Sequence, residues 1–161
     1  MEGTVLATLE FYIAFPLIPY FLRRNSKHAC VDTDTHALSK LFAEQSLLSA
    51  QLSSKPASEI AGKNMKACFF LFISLDKFIT AASLYLSCLL MDNDACNTWD
   101  QELMKLVGYG TESLNELVSV LKSHCLSNLK KGRFGAIKDK YESKCFHKVS
   151  VMALMKLQPD S

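Results

Sequence analysis

Three observations predict an all-α fold. Apolar residues recur at steps of three and four through several long segments, which is the spacing of one helix face. Glycine and proline are scarce, at six and four, so the strongest turn formers are too few for many short strands. Small oxygen-bearing side chains stand where the periodic segments begin, as helix caps require. With 161 residues, 49% apolar and 21% charged, the chain can build one core and is unlike a disordered polymer. A net charge of +2 gives no reason to expect binding to nucleic acid or to an anionic membrane.

The elements follow in order. Val5, Leu6 and Leu9 share one side of a helix end over residues 1–10. Phe11 to Pro19 reads as an extended, buried connector, because residues before Pro16 and Pro19 avoid the helical region. The apolar run from Phe11 to Leu22 lacks the basic leading region of a signal peptide. Tyr20 to Ala29 forms a short helix that packs Phe21 and Leu22 and exposes Arg23, Arg24 and Lys27. Asp32-Thr-Asp34 caps a helix running to about Leu52, with Leu38, Leu41, Phe42, Gln45 and Leu48 as a buried stripe that has one polar member. Ser53-Ser-Lys-Pro56 ends it and starts another, since proline suits a first turn.

Beyond the middle of the chain, Trp99 to Val107 reads as a shorter helix led by Leu103, Leu106 and Val107. Gly108-Tyr-Gly-Thr111 is a break with a capping threonine. Leu114, Leu117, Val118, Leu121 and Cys125 then form the clearest stripe, extended by Leu126 and Leu129. Lys130 to Arg133 is a basic stretch bounded by Gly132 and Gly135. Ala136 to Glu142 reads as a last short helix and Lys148 to Leu157 as a mixed apolar tail.

Chemistry-bearing patterns are sparse. The six cysteines include no CxxC pair and read as reduced, mostly buried thiols. There is no Gly-rich phosphate loop, HExxH or GxSxG. His28, His36, His124 and His147 are scattered, and Cys145-x-His147 supplies too few ligands for zinc. Glu112 and Glu116, four apart, favour the positive start of a helix rather than acid–base work. Lys130, Lys131, Arg133, Lys138 and Lys140 form a solvated basic face, with a docking patch for an acidic partner as the second reading. No catalytic, cofactor-binding or metal site is therefore expected, and no enzyme.

Several segments, in order, resemble the second box of A- and B-type cyclins. Phe21-Leu-Arg-Arg24 with Ser26-Lys27 is similar to the family's FLRR-x-SK after a proline-bearing linker. Thr35-His-Ala-Leu-Ser-Lys-Leu41 and Glu44-Gln-Ser-Leu-Leu48 resemble its long helix. Ile60-Ala61 with Ala81-Ala-Ser-Leu-Tyr-Leu86, Val107-Gly-Tyr109 with Glu112-Ser-Leu114, and Ala136-Ile137 with Lys140-Tyr141, Lys144 and Val149-Ser150 complete the set. The resemblance implies a cyclin-box bundle of about five main helices. It assigns 1–19 to the end of a first-box helix and linker, and 20–157 to the C-terminal box. It also implies a mitotic regulatory fragment, present in nucleus and cytoplasm, whose partner is a cyclin-dependent protein kinase. In the family the main kinase contact and the substrate-docking patch belong to the first box, so this chain alone is expected not to activate a kinase.

The family pattern has an unbroken IAAASLYL helix, whereas here nineteen residues, Gly62 to Thr80, stand between Ile60-Ala61 and Ala81. We read them as an insert, and specifically as an intron translated in frame, with a natural loop or helix extension of this protein as the alternative. Gly62-Lys63 can be encoded with a GTAA donor and Thr80-Ala81 with an AG acceptor, and excision restores an alanine codon. Transcripts that all retain these codons would refute this origin. Nineteen residues turn a continuous helix by about 100°, so the insert is expected to loop out or split the core helix, with a break near Gly62 and Asn64. Leu84, Leu86 and Leu89 would otherwise leave the face set by Ile60, and 67–75 would form an exposed apolar patch. The alternative function is a helical adaptor, or a membrane-attached protein, using 67–91. Against a span, Asp76 and Lys77 each cost about 2.5–3.5 kcal/mol mid-membrane, and the uninterrupted part from Phe78 to Met91 is short.

Overall fold

A computed structural model describes residues 3–4, 7, 17–48, 65–91, 99–131 and 135–158, with side chains of the helix that begins at Met65 described from Leu75 onward. Seven α-helices and one 3₁₀ turn make up these residues, with no strand among them. They are α1 (Ile18–His28), α2 (Thr33–Leu47), α3 (Met65–Leu90), α4 (Gln101–Val107), α5 (Thr111–Lys131), α6 (Gly135–Glu142), the 3₁₀ turn Lys144–Phe146, and α7 (Val149–Leu157).

Local chemistry sets the helix ends. In α1, Pro19 sits in the first turn, where its missing N–H is no loss, so the helix starts two residues earlier than the connector reading placed it. Lys27 and His28 lie at its negative end. The Asp32 carboxylate accepts from the Thr35 N–H at 3.0 Å and opens α2. Asp100 does the same for α4 through the Leu103 N–H at 2.7 Å. Gly108 closes α4 with φ +86°, a left-handed conformation natural to glycine, and its N–H returns to the Met104 carbonyl. The helix α2 stops at Leu47 with Leu48 as its cap. Val5, Leu6 and Leu9, and the stretches Phe11–Pro16 and Ser53–Pro56, lie outside the described residues.

The architecture is a bundle around α3, which packs against α1, α2 and α5 and also touches α4 and α7. Every residue from Ile79 to Cys88 is buried, so this part of α3 is enclosed on all sides. Its small members, Ala81, Ala82, Ser83 and Ser87, let neighbouring helices approach closely, while Leu84 and Leu86 fill the spaces between. The stripe of α2 (Leu38, Leu41, Phe42) and that of α5 (Leu114, Leu117, Val118, Leu121, Cys125, Leu129) meet in the same core. Trp99, buried just ahead of α4, sets its ring 5.2 Å from that of Tyr85.

Two points refine the sequence reading. First, from Met65 onward the insert is continuous with the core helix, while the break expected near Gly62 and Asn64 falls outside the described residues. One 26-residue helix runs from Met65 through Thr80 into Ala81 and on to Leu90. No glycine or proline interrupts residues 65–80, and the segment joins the core helix as its amino-terminal part. Leu84 and Leu86 keep buried positions and only Leu89, at 44% exposure, faces solvent. Gly62 and Asn64 lie outside the described residues, as do the side chains of 67–74; Leu75 is partly exposed. Second, the apolar tail after Lys148 is a helix. Val149, Ala153 and Leu157, four apart, are all buried, and the Lys156 ammonium reaches the Leu90 carbonyl at the end of α3. Among the described residues no helix is long and apolar enough to cross a membrane.

Candidate functional site

The motif Phe21-Leu-Arg-Arg24 divides by role once the helices are packed. Phe21 and Leu22 are buried in the core side of α1. Arg24 donates to the Leu106 carbonyl at 3.3 Å, tying α1 to the end of α4, and its guanidinium also stands over the Phe21 ring. Ser26, buried, lies 2.8 Å from Nδ1 of His36 and joins α1 to α2. In α2, Ser39 donates to the His36 carbonyl, and Leu38 and Leu41 are fully enclosed. What these two motifs leave toward solvent is cationic: exposed Arg23 and Lys27, and half-buried Lys40.

The charges of Lys40, one turn along α2, and of Arg23, on α1, both act on His36. Burial, then the charges of Lys40 and Arg23, hold its imidazole below the ordinary value of 6.5. Two permanent cations beside a neutral imidazole make this face of α1 and α2 attractive to an anionic group of a partner. His36 also gives a pH prediction. Its folded pKa is lowered, so the unfolded chain binds more protons and stability falls as pH drops below about 6.5. His124, whose pKa burial also lowers, acts in the same direction. Thermal melts between pH 7.5 and 5.5 are expected to show a falling Tm, and His36→Gln to flatten that fall; an unchanged slope would remove His36 from the account.

A second seam joins α2 to α6. Glu44 accepts from the Lys140 ammonium at 2.6 Å and from the Tyr141 hydroxyl at 2.8 Å. Burial and then the Glu44 carboxylate push the Tyr141 phenol far up, so it stays a donor. Beside this seam lies a cleft of about 230 Å³ with Ile18, Leu22, Ala43 and Phe146 in its wall. The predicted basic face is therefore partly spent: Lys140 is engaged, Lys130 and Lys131 stay exposed, and Arg133 lies outside the described residues. Glu112 and Glu116 are exposed on α5. His147 pairs with Asp34 at 2.7 Å, and Cys145 beside it is exposed.

Among the described residues, no three His, Cys, Asp or Glu side chains gather as a metal site. Cys30, Cys88, Cys125 and Cys145 are free thiols there. Burial pushes the Cys88 thiol up to about 11 and the Cys125 thiol to about 12, values at which a thiol is inert near neutral pH. Cys30 and Cys145 are exposed, which departs from the reading of mostly buried thiols.

The family of the cyclin C-terminal domain matches residues 71–154. The chain is similar to G2/mitotic-specific cyclin-B of Hydra vulgaris, at 31% identity over 97% of this chain and 37% of the relative. It is similar to G2/mitotic-specific cyclin-B of Arbacia punctulata, at 30% over 95% of this chain and 33% of the relative. With the protein of the same description from Emericella nidulans it shares 30% over 94% of this chain and 26% of the relative. The chain spans about a third of the length of the curated relatives it matches.

Proposed function

The chain belongs to the cyclin family through its C-terminal domain, and from that membership we propose that it is a mitotic, B-type regulatory fragment that binds a cyclin-dependent protein kinase and catalyses nothing itself. One observation carries the reading: the matched residues, 71–154, include most of α3 and all of α4, α5 and α6, and so take in the central helix and much of the core it shares with α2. The similarity is thus to the fold-determining part and not to a surface motif.

The kinase partner, and a place in nucleus and cytoplasm, are inferences from the family. In the resemblance the main kinase contact lies in the first box, whereas α1 to α7 correspond to the second, so these elements by themselves bind weakly and do not activate. The basic face of Arg23 and Lys40 offers one place where an acidic partner segment could add to that binding.

A pull-down with a mitotic cyclin-dependent kinase as bait tests this, with a kinase assay on the same samples. Capture above the bead control, without a rise in phosphorylation of a standard substrate, is expected. No capture by any kinase of the class would overturn the partner reading. A purified chain that raises activity would overturn the claim that it does not activate alone.

A further inference from the structure

We propose that residues 62–80 are a removable cassette and that the chain carries two interchangeable starts for its central helix, Pro56–Ala61 and Leu75–Thr80. The two hexapeptides are nineteen residues apart, the length of the cassette, so deletion brings each residue of the first to the position held by its counterpart in the second. The structure shows what each position demands. Leu75 is partly exposed, Asp76 buried, Lys77 and Phe78 half-buried, and Ile79 and Thr80 buried.

Pro56–Ala61 meets those demands at least as well. Proline suits an exposed first turn, Ser58 and Glu59 suit half-exposed positions, and Ile60 would inherit the place of Ile79, which packs with Ile18 of α1 and Ala43 of α2. Ala61 would replace Thr80, whose buried hydroxyl has to be spent on the Lys77 carbonyl at 2.8 Å. The clearest mark of a substitute is Asp76. It is 5% exposed, and burial raises its carboxyl above the ordinary value, whereas the residue that deletion would put there is Ala57. The cassette compensates in part: Phe78 sets its ring 4.7 Å from Tyr109, and the Lys77 ammonium stands over Phe21.

This stands apart from the kinase reading, because its test measures folding alone. The full chain and a version lacking 62–80 are melted by circular dichroism and compared by amide NMR, each also with Ile60→Asp and with Ile79→Asp where present. The deleted chain is expected to melt cooperatively, with a Tm equal to or a few degrees above that of the full chain. Asp76→Ala is expected to raise the Tm of the full chain. Ile79→Asp should lower the Tm of the full chain by more than about 8 °C while Ile60→Asp moves it by less than about 2 °C, and in the deleted chain Ile60→Asp becomes the damaging change. If an aspartate variant does not fold, the alanine pair gives the same comparison at smaller amplitude. A deleted chain that does not fold, or an Ile60 substitution equally damaging in both chains, would overturn the proposal.

Discussion

Leu121→Ala is expected to lower the stability of this domain by about 2–5 kcal/mol. Leu121 lies midway along α5 and is fully enclosed where α5 meets α2 and α3. Shortening it removes buried apolar surface and leaves a void that the surrounding core fills only in part. Domains of this kind have about 5–15 kcal/mol in total, so the loss is a large share, read as a fall in Tm of roughly 5–15 °C. Leu89→Ala is the internal control. Leu89 is on α3 but 44% exposed, and its truncation should change stability by less than about 0.5 kcal/mol. Equal effects at the two leucines in urea titrations would mean that the stripe of α5 does not face the core.

Legibility from sequence followed the range of the physics involved. The stripe of α5 could be read directly, because a repeat of three and four residues is a local property and all five leading members are buried. The Asp32 cap could be read for the same reason. The end of α2 was placed beyond its observed stop at Leu47, since Leu48 continues the apolar pattern without continuing the helix. The continuity of α3 from Met65 into Ala81 is not legible in the family pattern, which sets Ile60-Ala61 before Ala81, whereas Ile79 supplies a buried apolar side chain from within the insert. The tail helix α7 was missed although Val149, Ala153 and Leu157 carry its spacing; a nine-residue segment offers too few turns for the period to stand out. The influence of Arg23 on His36, and the meeting of Lys140 and Tyr141 with Glu44, are not legible in spacing, because each joins separate helices; Lys40, one turn along α2 from His36, is legible.

Gln45 poses the sharper question, because the sequence marked it as the one polar member of an apolar stripe without saying what it met. It meets Asn128, 83 residues away on α5: the Asn128 amide donates to the Gln45 side-chain oxygen at 3.0 Å, with both residues buried. A second contact at 3.3 Å links Asn128 to His124, one turn back on the same helix. Replacing Gln45 by leucine keeps much of the volume but leaves a buried amide short of its acceptor, which costs about 1–3 kcal/mol; Asn128→Leu strands Gln45 in the same way. The double substitution leaves neither group stranded and should be less damaging than the two single losses added together, giving a coupling of about 0.5–3 kcal/mol in a double-mutant cycle. Urea titration of the four proteins measures it. If the losses simply add, the two amides do not act as a pair, and the link between α2 and α5 rests on the leucines alone. If they couple, a buried hydrogen bond fixes the rotational setting of two helices whose apolar faces, being leucine against leucine, would tolerate a small slip.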